Sequence, residues 1–529
     1  MQFQTLTARI AVPAMVVALS FPVALRAQSL DEGVKMLQYE RYESARRILT
    51  PLAATNPRAS YYLGLAELGL ENNAAAQAAF SKYADDAASL AGQAMLAYAN
   101  GNKAEGDRLA ALVAEKGKKK DVEPLKFAAD AYLRGGDAQR AVDLYNKVLE
   151  KNDDNSTRVS LGDAYLKLPG GGGQAMSAYE KVTGKDAKNS LAFSRIGSVW
   201  YSAKRYDLAL ENYNKAKEAD PSNPLPYRDL ANAYFYTGKY ENARKNIEEY
   251  LKYSDKTADD EVQYLNILYL GKDYPAAIQK ANELINSGNK RAGLYGILGY
   301  SQMETKDAAN ALKNARTYLS IQKPERIFPS DYMNLGRIFL MNSQVDSASY
   351  YFNMAVAKDT ARDKSETYRK IAEGLKDVKD YGRSAEWYGK LVNEYPASPA
   401  IDYFWAGAML YYAKDYSKAG NMFERMETKY SDQPSATYWR GRVAAAIDQE
   451  GKAGTATQYY EKWLANPAEK KSADLMQAYQ YLAISAYNRG DKAGTEQYLN
   501  KISAIEPENN FVKQIRAAQA KPGAKPKAK

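Results

Sequence analysis

The sequence predicts an all-α protein, an α-solenoid of about fourteen helix-turn-helix units, and three observations carry that expectation. One stretch, Leu191–Pro224, reads as two short amphipathic helices joined by a tight turn. Its pattern of large and small residues recurs along the chain in a single frame. Finally, a chain of 529 residues is too long for one hydrophobic core, whereas an array in which each unit packs only on its neighbours escapes that limit.

In Leu191–Pro224, Phe193, Ile196 and Trp200 recur three and four apart and so share one helix face. Gly197 lies among them, where a neighbouring helix can come close. Ala203–Tyr206 marks the turn, after which Ala209, Tyr213 and Ala216 line one side of a second helix. Pro221 forbids continuation, because it lacks an N–H and clashes with the preceding turn. One such hairpin cannot bury its own apolar face. With Phe193 numbered as position 4, Gly197 is 8, Trp200 is 11, Ala209 is 20, Tyr213 is 24, Ala216 is 27 and Pro221 is 32.

The same frame can be walked from the N-terminus. Unit one (29–57) has Gly33, Ala45 and Leu49, and unit two (57–86) has Gly64, Ala76 and Phe80. Unit three (87–120) is Ala-rich, with Gly106 where Ala is usual, and ends in the charge run Glu115–Lys120, expected as a solvated loop. Unit four (122–154) has Ala129, Ala141 and Tyr145; unit five has Gly162 and Tyr179, with an extra residue in its turn, Pro169–Gly173. The seventh supplies Tyr227, Ala231, Ala243 and Ile247. The eighth and ninth lie near 258–290 and 292–323. Gly336 and Phe352 mark the tenth, and Ser384 replaces the small Ala of the eleventh (365–399). The twelfth has Tyr403, Gly407, Ala419 and Phe423. The thirteenth (Thr437–Pro467) keeps Gly441, Ala456 and Tyr460 around a longer turn, Asp448–Gly454. The fourteenth runs 476–509. Phe511–Ala520 fits a short capping helix, and Lys521–Lys529 a disordered basic tail.

This pattern resembles the tetratricopeptide repeat, whose period is about 34 residues. The resemblance implies a right-handed superhelix whose concave face is built from the first helix of every unit. Members of that family mainly hold peptides, helices or loops of other proteins there. Family groove positions 2, 5, 9 and 12 fall here on Arg228, Asn232 and Phe235 in the seventh unit and on Arg337 in the tenth. They fall on Phe404 and Tyr411 in the twelfth and on Tyr438 and Arg442 in the thirteenth. These are the candidate partner-binding residues; aromatic and Arg side chains often anchor protein partners. Arg228 with Asn232 resembles part of a clamp for a carboxylate. The remaining clamp positions hold Gln263, Gly293 and Ile297, so Arg228 is expected to pair with a neighbour or face solvent.

The two ends have a different character. Residues 1–27 place Arg9 before the apolar run Ile10–Leu25 and contain no acid; with Ala27 before Gln28, they read as a signal peptide. Residues 28–510 are the solenoid and 511–529 the cap and tail. The formal charge is +10, but residues 1–27 carry +2 and residues 511–529 carry +6, which leaves 28–510 at +2. That balance gives no broad basic footprint for nucleic acid. Tyr is used 44 times against 12 for Phe, and many fall at positions that pack between helices.

Catalysis finds little support. The chain has no His and no Cys, which removes His-based triads, thiol nucleophiles and thiolate metal sites. Gly170–Ala175 formally matches a dinucleotide fingerprint but lies between two helices, without the preceding strand that motif needs. Asp153-Asp154-Asn155 hints at a calcium loop, yet Arg158 stands where Gly is required. The sequence therefore points to a non-catalytic protein-binding scaffold without cofactor, exported and periplasmic, with outer-membrane association or secretion as alternatives, serving an envelope assembly, transport or secretion complex. Two alternatives remain: a surface binder whose basic tail contacts anionic lipid or cell-wall polymer, and a solenoid-associated cell-wall enzyme.

Overall fold

In the computed structural model, which describes residues 29–118 and 121–520, helices follow one another in pairs. The segments expected to be a signal peptide and a disordered basic tail lie outside the described residues. The chain divides into two compact units between Asp273 and Tyr274.

The unit before that boundary begins with α1 (Leu30–Gln38), α2 (Tyr42–Leu52), α3 (Pro57–Gly69), α4 (Asn73–Ser81) and α5 (Ala87–Ala99). It continues with α6 (Lys103–Glu115), α7 (Glu123–Arg134), α8 (Ala138–Leu149), α9 (Asn155–Tyr165) and α10 (Gly172–Lys185). Its last helices are α11 (Ser190–Ser202), α12 (Tyr206–Ala219), α13 (Leu225–Tyr236), α14 (Tyr240–Tyr253) and α15 (Ala258–Leu270). The second unit opens with α16 (Tyr274–Asn286), α17 (Ala292–Glu304), α18 (Ala308–Ile321), α19 (Pro329–Met341) and α20 (Val345–Lys358). Then come α21 (Ser365–Asp377), α22 (Tyr381–Glu394), α23 (Ala400–Tyr412), α24 (Tyr416–Lys429) and α25 (Pro434–Ile447). It ends with α26 (Thr457–Ala465), α27 (Ser472–Asn488), α28 (Lys492–Ile505) and α29 (Asn510–Ala520). This is the α-solenoid that the repeat frame predicts, with α29 at the place of the cap. Among the described residues there is no β-strand, only a bridge between Lys118 and Asp121 that closes the α6–α7 loop.

Why glycine stands at position 8 is visible in the hairpins that have it beside a ring at position 24. The ring at position 24 of the second helix lies directly on that glycine: Phe80 on Gly64, Tyr179 on Gly162, Tyr213 on Gly197, Phe352 on Gly336. A Cβ at Gly162 would sit 2.3 Å from the Tyr179 ring. Gly106 has a related cause, since the Tyr98 ring occupies the space its Cβ would need. Ser384 is tolerated in place of Ala because its buried hydroxyl donates to the Ala372 carbonyl at 2.8 Å.

Two sequence hints resolve into helix ends. The Asp154 side chain accepts from the Thr157 N–H at 2.8 Å and caps α9, while Asp153 pairs with Arg158 and Lys185. The glycine run makes the α9–α10 turn, with Gly170 at a φ of 71°, and α10 already begins at Gly172.

The first hairpin has a second set of neighbours far along the sequence. The α1–α2 corner meets the end of α12, α13 and the α14–α15 loop. Lys35 pairs with Asp220 at 2.9 Å, and Tyr39 donates to the same carboxylate. Arg228 of α13 pairs with Glu40 at 2.5 Å. Asp255 accepts from the Ser44 hydroxyl at 2.6 Å, from the Ser44 N–H at 3.0 Å and from Arg41 at 3.4 Å.

Candidate partner-binding site

Within each unit, first helices of successive hairpins lie side by side, with α3 on α5, α5 on α7, α11 on α13 and α17 on α19. The row they make is where position 9 side chains gather. Because a tyrosine at position 24 lies over position 8, its hydroxyl emerges beside position 9. Tyr145 thus donates to Asp130, Tyr179 to Asp163 at 2.7 Å, and Tyr213 reaches Ser198 at 3.4 Å. Asp163 also accepts from Arg195 of the next first helix at 2.8 Å. Burial pushes the Asp130 carboxyl up to about 6, against the pull of the Tyr145 hydrogen bond.

In the first unit of the chain the candidate residues are already engaged. Arg228 is held charged by Glu40 although burial alone would lower its pKa. It pairs as the sequence predicts, but its partner is 188 residues away. Asp229 beside it, 3.7 Å from the guanidinium, is pushed up to about 6 by burial, with Arg228 opposing. The Asn232 side-chain oxygen accepts from the Gln263 amide, the residue that stands at a missing clamp position. Phe235 packs edge-on against Tyr236 and Tyr240, with ring centroids 5.5 and 5.9 Å away.

The second unit differs. Arg337, 45 % exposed, pairs with Glu304 of the preceding first helix at 2.8 Å. It lines a cleft of about 670 Å³ between α19 and α21, together with Ser330, Met333, Lys370 and Glu373. Phe404 and Tyr411 of α23 both set their rings at right angles to Trp439 of α25, at 5.5 and 5.4 Å. Ile401 and Tyr412, 52 % and 43 % exposed, extend the apolar surface of α23. Arg442 lays its guanidinium on Trp439 at 4.0 Å and on Tyr411 at 4.9 Å. Its Nε is buried without a hydrogen-bond partner.

Tyr438 belongs under this surface rather than on it. It is 5 % exposed, packs on Trp463 at 4.6 Å, and its hydroxyl lies 2.9 Å from Asp474 and Gln477. The residues that organise the cluster, Trp439 and Trp405, occupy position 6 in their units, beside the positions the family frame singles out. An excess of aromatics in α23 and α25 is the signal that marks them.

The comparisons agree with this architecture. Tetratricopeptide-repeat family models match residues 197–238 and 228–293, so the hairpins over that range are tetratricopeptide repeats. Among curated proteins, none matches the chain. Solved structures that resemble it include the C-terminal part of a repeat-containing protein from Cytophaga hutchinsonii. That one has 23 % identity and a TM-score of 0.39, covering 48 % of this chain and 98 % of the other. A tetratricopeptide repeat protein from Parabacteroides merdae has 17 % identity and a TM-score of 0.32, covering 49 % and 98 %. PilW, a type IV pilus biogenesis factor, has 16 % identity and a TM-score of 0.34, covering 40 % and 94 %.

Proposed function

We propose that the protein is a non-catalytic scaffold of the bacterial cell envelope that holds a segment of another protein against the first helices of its second unit. The observation that carries this reading is the half-buried aromatic and arginine cluster of α23 and α25, flanked by the exposed Ile401 and Tyr412. Its residue types are those that dominate protein interfaces, and buried aromatics supply large contact area at little entropic cost. In the first unit, the corresponding polar side chains already have partners within the chain. The N-terminal sequence supports export and a periplasmic residence, as a subunit of an assembly, transport or secretion machine. Among the described residues no helix is long and apolar enough to cross a membrane, and no cluster of acidic residues is arranged to hold a metal.

The test is to immobilise the protein, pass solubilised envelope over it and identify what is retained, beside a variant with Phe404→Ala and Tyr411→Ala. A discrete set of proteins held by the parent and lost from the variant is the expected outcome. Retention of glycan or lipid alone, unaffected by the variant, replaces this reading with surface binding through the basic tail.

A further inference from the structure

Position 9 of the thirteenth hairpin departs from the pattern of the fourth, fifth and sixth; in the eleventh the Tyr388 hydroxyl is also buried without a partner, although Glu373 stands at position 9. Where Asp130, Asp163 and Ser198 receive the hydroxyl of the tyrosine at position 24, the thirteenth hairpin presents Arg442 to Tyr460. An arginine has only donors to offer, so the hydroxyl proton of Tyr460 finds no acceptor there. Tyr460 is 0 % exposed, and both its hydroxyl and the Arg442 Nε are buried without a hydrogen-bond partner. Both donors lack an acceptor, and leaving such groups unpaired is costly.

We propose that Arg442 and Tyr460 form a carboxylate-reading subsite and that the occupant of the groove is an acidic segment of a partner protein. This inference rests on the reading of α23 and α25 as the partner-binding surface. A carboxylate is the smallest acceptor with two oxygens for two donors, and a planar guanidinium matches it geometrically. A sugar does not fit as well, because Trp439 has no free face to stack on it. Phe423 is stacked on that ring at 5.4 Å and 27°, and the guanidinium of Arg442 lies 4.0 Å from its centroid.

A second cation continues the pattern. Lys376 of α21 lies 4.3 Å over Trp405, and no carboxylate among the described residues pairs with it. Trp405 touches Phe404 at 5.2 Å, and Phe404 touches Trp439 at 5.5 Å. A continuous aromatic strip therefore runs between two cations without carboxylate partners. The contacts that link them place the two cations no more than about 19 Å apart, a distance spanned by about five or six residues of extended chain. The complementary ligand has carboxylates at both ends of such a segment and apolar side chains between them.

The probe is a fluorescein-labelled peptide, Glu-Ala-Phe-Ala-Leu-Ala-Glu with blocked ends, titrated by anisotropy against the purified protein. Its twin carries Gln at both ends. The Glu peptide is expected to bind about tenfold or more tightly than its twin, with an affinity that falls as salt rises. Arg442→Gln and Lys376→Gln should each abolish much of that preference, and Tyr460→Phe should weaken the Glu peptide selectively. Circular dichroism and thermal melting establish that each variant is folded. Equal binding of the two peptides, lost with Phe404→Ala, overturns the carboxylate preference and leaves the groove reading standing. Binding of neither peptide, or an Arg442→Gln variant with an unchanged preference, overturns the proposal.

Discussion

Asp255 is the residue through which the first hairpin is most open to a decisive test. Helix α2 begins after Arg41, whose side chain makes no capping hydrogen bond. The N–H of Ser44, in the first turn, is satisfied by Asp255 from 211 residues away. Asp255 is thus the N-terminal cap of a helix it does not belong to. Replacing it with Ala removes that cap, worth about 1 kcal/mol. It also removes a hydroxyl-to-carboxylate bond, about 1.5 kcal/mol at the lower end for charged acceptors, because the carboxylate is 14 % exposed. The Arg41 contact is partly solvated and adds under about 1 kcal/mol. Asp255→Ala should therefore cost about 3 kcal/mol, concentrated in α1 and α2 because coupling in a repeat array passes between neighbours. Amide hydrogen exchange is the assay. Protection in residues 30–52 should fall about 100-fold, at a tenfold change per 1.4 kcal/mol, while α7–α10 change little. Asp255→Asn keeps an acceptor for the Ser44 N–H and should recover a good part of the loss. Unchanged exchange in residues 30–52, or an equal loss along the whole chain, refutes the reasoning.

Other perturbations read the packing and the buried charges. Asp229 titrates near 6 when folded against an ordinary value of 3.8. Between pH 4 and 6 the folded chain holds a proton that the unfolded chain has released, so stability falls as pH rises through that window. Asp229→Asn should remove up to about 3 kcal/mol of that fall, leaving the share due to Asp130. Urea midpoints at pH 4 and 7 that move in parallel for parent and variant contradict it. Asp220 works in the opposite sense: bonds from Ser222, Tyr39 and Lys35 overcome burial and hold it at about 2. Its contribution is complete above pH 4 and is lost toward pH 2, a loss that thermal melting should show is smaller in Asp220→Asn. Gly162→Ala should destabilise by about 1–3 kcal/mol because the Tyr179 ring must move. Gly389→Ala, with nothing within 4 Å of its Cβ, should stabilise by about 0.5–1 kcal/mol. Tyr213→Ala should cost about 3–5 kcal/mol through the void left on Gly197; unchanged thermal unfolding would show that its ring does not pack there.

The hairpins were legible in the sequence because their determinants are local. A glycine at 8 and a ring at 24 are sixteen residues apart in the frame, and each pair repeats. The α1–α2 corner was not legible for the opposite reason. Tyr39, Glu40, Arg41 and Ser44 are ordinary residues at a turn, and nothing in the frame couples them to Asp220, Arg228 or Asp255. The same limit applied to the groove. Arg228 and Arg442 occupy comparable family positions, yet one has an acid waiting and the other has only rings beneath it. The part Tyr460 plays beside Arg442 becomes visible only when the hydroxyl of position 24 is seen to meet position 9.

That meeting has a consequence for where a partner gains most. In the fourth and fifth hairpins a buried donor and a buried acceptor satisfy each other, so a ligand there would have to break a bond before making one. In the seventh, Arg228 would first have to leave Glu40, and Asn232 would have to leave Gln263. At the thirteenth hairpin no internal bond competes. An acceptor brought by a partner replaces nothing, and it relieves two desolvated donors that the fold has left unpaired. Binding there converts a cost already present in the free protein into part of the affinity. Specificity follows from the same arithmetic, because a partner without a carboxylate at that point buries the donors further and leaves them unanswered.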